Sequence, residues 1–276
     1  MGSGQVRVKY CSLGGRVVLL ALAFYLVPCG GFAAPPPAVQ PAPSRPQRSF
    51  DPPDHAEKTV YHASWNGIPV ASATIEAAPV VVEGKQLYRV QVRAASWKYL
   101  DLIWKMRDTI ESIFDHKTLN PRRFVFRQRE NSKTINTTAN FDPGSNKWVV
   151  HRQQGRKVRE YEFVSANTLD PILATYLARS LDFVVGDTVV LEVFGGKSRY
   201  QVSLDVVGRE RISLKSGDFD AYRIVPRIRN LNRTGYAGRV REATVWISAD
   251  KWRRPLRMVT QVFIGNVNIE MVEGRS

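Results

Sequence analysis

The chain has 276 residues, with 40 Lys and Arg against 25 Asp and Glu, a formal charge of +15 and two cysteines. Both cysteines, Cys11 and Cys29, fall within residues 1–33. Residues 34–276 can therefore form no disulfide, no Cys-ligated zinc site and no thiol nucleophile, and must be stabilised by packing and backbone hydrogen bonds.

Residues 1–33 have the pattern of a secretory signal peptide. Arg7, Lys9 and Arg16 supply positive charge, residues 17–27 are an unbroken apolar run, and Pro28-Cys29-Gly30-Gly31 break it. Gly31 and Ala33 put small residues at −3 and −1 of a cut after Ala33. The run is short for a bilayer span. Leu26-Val27-Pro28-Cys29 loosely resembles a lipobox, in which Cys29 would carry lipid, but Pro28 stands where a small residue is expected. The expected location is the periplasm, with an outer-membrane lipoprotein through Cys29 as the lesser alternative. Residues 34–55 hold eight prolines and are expected to form an extended linker that buries little.

Residues 56–276 are expected to form one β-rich domain. Strands are predicted at 58–65 and 68–77 around an Asn66-Gly67 hairpin turn. More are predicted at 86–94, 107–114, 123–129, 134–141 and 148–152, with turns at Asp142-Pro143-Gly144 and Gln154-Gly155. Residues 97–104 break the alternation. Trp97, Leu100, Ile103 and Trp104 recur at helical spacing and predict one or two amphipathic turns. Asp170-Pro171 is a helix start, and Ile172, Leu173, Tyr176, Leu177 and Leu181 carry the helical period through 172–181. Strands return at 188–194, 200–207, 211–214, 221–229, 243–248, 256–263 and 266–272. The expected fold is mainly β, an antiparallel curved sheet or barrel with one main helix packed against it.

Several chemistries fail on spacing. Gly195-Gly196-Lys197-Ser198 has the tail of a phosphate loop, but Leu191 stands where its first glycine belongs, and the segment joins two strands rather than a strand and a helix. His55, His62, His116 and His151 are scattered, with no i, i+4 pair. No nucleophile elbow or convincing Ser/His/Asp set is present. Asp101, Asp108, Glu111 and Asp115 lie close in sequence, yet Lys105 and Arg107 sit among them, which favours ion pairing over paired-carboxylate catalysis. No cofactor or metal is implied.

The arginines are the strongest positive signal. Arg122, Arg123, Arg127 and Arg129 share one segment; Arg223, Arg227, Arg229, Arg233, Arg239 and Arg241 share another. Lys251, Arg253, Arg254 and Arg257 surround Trp252. Arg223, Arg227 and Arg229 fall on one strand face by period 2, with Ile224 and Ile228 on the other. In an exported protein such a face meets phospholipid headgroups or other envelope polyanions rather than nucleic acid. Arg223, Arg227, Arg229, Arg253 and Arg254 are the candidate anion-binding residues. Trp97, Tyr99, Leu100, Ile103 and Trp104 are the candidate residues for an apolar ligand, either lying at a membrane interface as a peripheral contact or closing over an apolar cavity.

A set of ordered matches resembles the DUF3108 family of bacterial exported proteins. They are Tyr61-x-x-x-Trp65-x-Gly67-Ile68, Arg107-Asp108, Thr118-Leu119-Asn120-Pro121, Asp170-Pro171, Gly186-Asp187, and Val245-Trp246-Ile247-Ser248-x-Asp250 with Arg254-Pro255. The resemblance covers about residues 56–272 and implies export and a β-rich fold, with no catalytic residue carried over. The expected architecture is also similar to periplasmic lipoprotein carriers of the LolA and LolB type, a likeness of fold that does not establish function. The leading expectation is a non-enzymatic envelope protein that binds an apolar or lipid-like ligand or an anionic envelope component. An assembly protein binding protein or polysaccharide, and a hydrolase using Asp101, Asp108 or Glu111, stand behind it. Oligomeric state is not encoded in any pattern found.

Overall fold

The computed structural model describes residues 45–49, 55–231, 243–262 and 265–275. The signal segment with Cys29, most of the proline-rich stretch, and Arg233, Arg239 and Arg241 lie outside the described residues.

The chain forms strands β1 (Glu57–Trp65), β2 (Ile68–Val82), β3 (Lys85–Ser96), β4 (Arg107–Phe114), β5 (Pro121–Glu130), β6 (Lys133–Asp142), β7 (Lys147–Gln154) and β8 (Lys157–Val164). A two-residue β9 (Thr168–Leu169) leads into the helix α1 (Pro171–Arg179). Then come β10 (Thr188–Phe194), β11 (Arg199–Leu214), β12 (Gly217–Asn230), β13 (Ala243–Ser248), β14 (Pro255–Gln261) and β15 (Asn266–Arg275). All 15 strands belong to one sheet, ordered β8-β7-β6-β5-β4-β3-β2-β1-β15-β14-β13-β12-β11-β10-β9. Two sequential meanders are thus zipped together by β1 against β15, and every pair is antiparallel except β9 with β10.

Local chemistry sets the turns. Asn66 and Gly67 adopt φ of 48° and 84°, the two positive values a type I′ turn needs. The β10–β11 connection closes through the Gly195 N–H donating to the Ser198 carbonyl at 3.0 Å, so the glycine-lysine-serine run is a hairpin turn. Alternation then divides each strand between two faces. On β4, Asp108, Ile110, Ser112 and Phe114 are buried while Arg107, Thr109, Glu111 and Ile113 are only half-buried.

The sheet curls around α1. Eight of the helix's nine residues are buried, and its contacts come from both meanders. The Tyr176 ring meets Tyr88 at 5.8 Å and Phe114 at 5.5 Å, while Arg179 Nε donates to the Trp252 carbonyl at 3.1 Å. Asp170 caps the helix: its Oδ1 accepts the Ile172 and Leu173 N–H groups at 2.9 and 3.0 Å, and its Oδ2 accepts Ser112 Oγ–H at 2.7 Å. The end strands meet through side chains: Phe163 of β8 packs on Phe194 of β10 at 5.4 Å, and Arg199 lies 5.0 Å over Phe163.

The helix is therefore enclosed by the sheet rather than laid on its outside. Strands β8 and β9 escape the sequence patterns. β8 is the sheet's end strand and largely exposed, so no continuous apolar face marks it; β9 is two residues long. The segments predicted at 200–207 and 211–214 form one strand, β11, with a register shift between Val206 and Gly208. The expected linker is partly anchored. Arg45 donates to the Leu119 and Ala166 carbonyls and to Asn120 Oδ1 at 2.9–3.2 Å, and Ser49 N–H donates to the Ser180 carbonyl at 2.8 Å. Loop carbonyls without strand partners are natural acceptors for that guanidinium.

Candidate functional site

Residues 97–104 form the loop between β3 and β4. A single 3-10 turn occupies Lys98–Leu100, and Ile103 and Trp104 N–H groups both donate to the Leu100 carbonyl, at 2.9 and 2.7 Å. The predicted amphipathic helix is thus reduced to a tight loop. Asp101 locks it by taking two bonds from Arg107, at 2.7 and 3.0 Å. Leu100 and Trp104 turn inward and pack on the core. Tyr99, Leu102 and Ile103 turn outward, 60%, 99% and 80% exposed.

The loop is tied to its neighbours. Trp97 N–H donates to the Val70 carbonyl at 3.1 Å, Tyr99 Oη–H donates to the Pro69 carbonyl, and the Trp97 ring meets His62 edge-on at 5.5 Å. The adjacent β1–β2 turn adds exposed Trp65 and Ile68. Six large apolar side chains, Trp65, Ile68, Trp97, Tyr99, Leu102 and Ile103, therefore share one exposed tip, built on strands held by β-ladders. Exposed apolar residues scattered singly need no explanation, but a contiguous group does.

The candidate anion-binding arginines do not gather. Arg223, Arg227 and Arg229 share the outer face of β12 as their spacing requires. Each is matched by a group on β11: Glu210 lies 3.7 Å from Arg223, Asp205 lies 2.7 Å from Arg227, and Gln201 accepts from Arg229. Arg253 is buried, where it donates to the Ala249 carbonyl at 3.0 Å and to Asp182 at 3.3 Å and lies 5.0 Å over the Tyr222 ring. Its surroundings make it a strut between β12 and the loop before β14, a correction to its expected place on a basic surface. Arg254 lies 5.8 Å over Trp252 and lines an interior cleft. A period of two reports which face a residue takes; it carries no information about the acids on the next strand.

That cleft lies between α1 and strands β1–β3, lined by Thr59, Ile75, Ala77, Val90, Ile172 and Thr175 among others. Its polar wall is a buried cluster that sequence reasoning missed. Arg179 makes two 2.8 Å bonds to the Glu57 carboxylate, and Tyr176 Oη–H donates to the same group at 3.2 Å. Burial pushes the Glu57 carboxyl upward, but Arg179's hydrogen bonds and charge outweigh it and hold it below its ordinary value. Burial raises Tyr61 and Tyr176, so both stay protonated. The cleft's volume is about 40 Å³, room for a few waters, whereas pockets for small molecules start near about 300 Å³.

The clustered carboxylates do not converge. Asp108 is buried on the inner face of β4, Glu111 lies on the opposite face, and Asp101 is held by Arg107. Burial lifts the Asp108 carboxyl to about 6, and likewise that of the cap residue Asp170. Among the described residues, no group of three His, Cys, Asp or Glu side chains is placed to hold a metal, and no helix is long and apolar enough to cross a membrane.

The sequence profile described as "Protein of unknown function (DUF3108)" matches residues 60–272. The chain belongs to the DUF3108 family. No curated protein matches this DUF3108 chain. Among solved structures it is similar to a β-barrel-like protein of the domain of unknown function DUF1849 from Brucella abortus. The two share 8% identity over 80% of this chain and 98% of the other, with a TM-score of 0.54. That likeness supports the curved, barrel-like sheet and nothing about activity. Two further structures are more distant. One is a candidate exported protein with a YmcC-like fold from Bacteroides fragilis, 7% identical over 83% of this chain and all of the other, with a TM-score of 0.37. The other is a candidate lipoprotein from Parabacteroides distasonis, 9% identical over 84% of this chain and all of the other, with a TM-score of 0.33.

Proposed function

We propose that this DUF3108 protein is a non-enzymatic protein of the cell envelope that binds a lipid surface through the loop 97–104. The observation that carries the reading is the outward placement of Tyr99, Leu102 and Ile103 beside Trp65 and Ile68 on one hydrogen-bonded tip. Aromatic rings flanked by aliphatic side chains suit the boundary between headgroups and acyl chains. The interior offers less. Among the described residues α1 is buried inside the sheet, and the cleft beside it, at about 40 Å³, holds no acyl chain, which favours the tip as the apolar surface. The signal pattern of residues 1–33 supports a setting among envelope membranes.

Sedimentation of the purified domain with phospholipid vesicles tests this, using Leu102→Asp/Ile103→Asp as the perturbation. Both side chains are exposed, so the variant should melt like the parent. Removing two aliphatic groups worth at least about 1.5 kcal/mol each on burial should weaken partitioning by roughly 100-fold. Failure of the parent to bind vesicles, or equal binding by the variant, defeats the proposal.

A further inference from the structure

We infer that the tip selects anionic bilayers, and that a rim of lysines and arginines on the neighbouring hairpins, not the arginines of β12, provides the selection. The inference rests on the tip reading above. The β5–β6 turn is bonded directly to the tip loop: Asn131 N–H donates to the Lys105 carbonyl and Lys105 N–H donates to Asn131 Oδ1, both at 2.8 Å. The β7–β8 turn comes next, with Gly155 N–H donating to the Thr134 carbonyl at 3.4 Å. Three successive hairpin ends thus form one continuous rim beginning at the apolar tip.

The fully exposed charges at these turns have one sign. Lys98 and Lys105 bracket the exposed Tyr99, Leu102 and Ile103, Lys133 follows the β5–β6 turn, Arg156 lies in the β7–β8 turn and Lys157 opens β8; all five are exposed. No salt bridge among the described residues holds these five, although Lys133 stands opposite Glu130 in the β5–β6 register and its charge acts on buried Asp108. The acids nearby are Asp101, held by Arg107, and Glu130, which is half-buried. The contrast with β12 is direct, since Arg223 and Arg227 each stand beside a carboxylate on β11. Cations beside an apolar tip complement a surface of anionic headgroups, where each adds about fivefold to binding near the membrane. The same cations would be repelled by nothing at a zwitterionic surface, so the rim controls selectivity and the tip controls insertion.

The test compares phosphatidylcholine vesicles with vesicles in which part of the lipid is phosphatidylglycerol, at low and high salt. The parent protein should bind the anionic vesicles much more tightly, and the difference should shrink with salt. Lys105→Gln/Lys133→Gln/Lys157→Gln should keep binding to phosphatidylcholine and lose roughly 100-fold of the anionic gain, about fivefold per charge. Arg223→Gln/Arg227→Gln/Arg229→Gln should keep most of that gain. Equal binding of the parent to both vesicles, or an undiminished gain in the lysine variant, overturns the inference while leaving the tip reading intact. Binding to neither vesicle defeats the tip reading itself.

Discussion

Replacing Arg179 with methionine should cost the domain about 3–5 kcal/mol, the usual consequence of stranding one member of a buried ion pair. The figure comes from the surroundings. The Arg179 and Glu57 side chains are 6% and 8% exposed, and the pair is joined by two 2.8 Å bonds. Without Arg179 the carboxylate keeps only the Tyr176 hydroxyl as a donor among these contacts. That loss is a large fraction of a total stability of about 5–15 kcal/mol. The Glu57→Gln/Arg179→Met double variant should cost clearly less than the sum of the single variants. The pH dependence supplies a second, signed test. In the parent, Glu57 titrates below its ordinary value of 4.5, so its contribution is complete above that pH and is lost only as pH falls through the lower folded-state value. In Arg179→Met, burial acts unopposed and lifts the folded-state value above the ordinary one. The folded variant then binds a proton that the unfolded chain releases, and its deficit should shrink as pH falls from about 7 to about 5. Urea unfolding at both pH values measures this. A variant within about 1 kcal/mol of the parent, or a deficit that does not shrink at the lower pH, refutes the reasoning.

Other expectations rest on single contacts. Asp108 is buried and titrates at about 6, so between about pH 4 and 6 the folded state holds a proton that the unfolded chain lacks, and this group's contribution falls as pH rises. Asp108→Asn keeps an acceptor for the Arg129 N–H and should raise stability at pH 7 by about 1–3 kcal/mol while removing that slope, read by urea titration. Asp170→Ala removes the cap and strands the Ser112 hydroxyl; thermal unfolding should show a loss of about 2 kcal/mol or more, with Asp170→Asn milder. Gly265 has φ of 78°, and a Cβ there would run into the Asn66 side-chain amide. Gly265→Ala should therefore cost about 1–2 kcal/mol in thermal unfolding and speed amide exchange of Asn66 and Asn266. Arg45→Ala should accelerate exchange of the Ser49 amide while leaving the melting of the sheet nearly unchanged.

Fold class was readable in the sequence because alternation and turn residues are local signals. Asn66-Gly67, Asp170-Pro171 and the strand at 86–94 each state their geometry within a few residues, and each is found where expected. The β8 strand was not readable, because its position at the sheet end leaves both faces largely wet. Within 97–104 the helical spacing of Trp97, Leu100, Ile103 and Trp104 divided the apolar residues correctly in only two cases: Leu100 and Trp104 pack on the core, whereas Ile103 faces out beside Leu102. Loop closure by Asp101 and Arg107 overrides the helical period there. The pairing of Glu57 with Arg179 joins residues 122 positions apart, a distance over which no periodicity speaks.

The order of strands also dictates an order of assembly. Apart from the junction of β1 with β15, neighbours in the sheet are neighbours along the chain, so each meander can grow hairpin by hairpin at small entropic cost. The junction is different: Asn66 and Asn266 stand 200 residues apart yet exchange bonds at their turns. During synthesis β1 emerges first among the strands and its final partner last. Until β15 arrives, β1 offers an open row of amides and carbonyls at what will become the middle of the sheet, an invitation to pair with another chain. The nascent protein is therefore most exposed to mispairing at the strand that, once complete, is among the best protected.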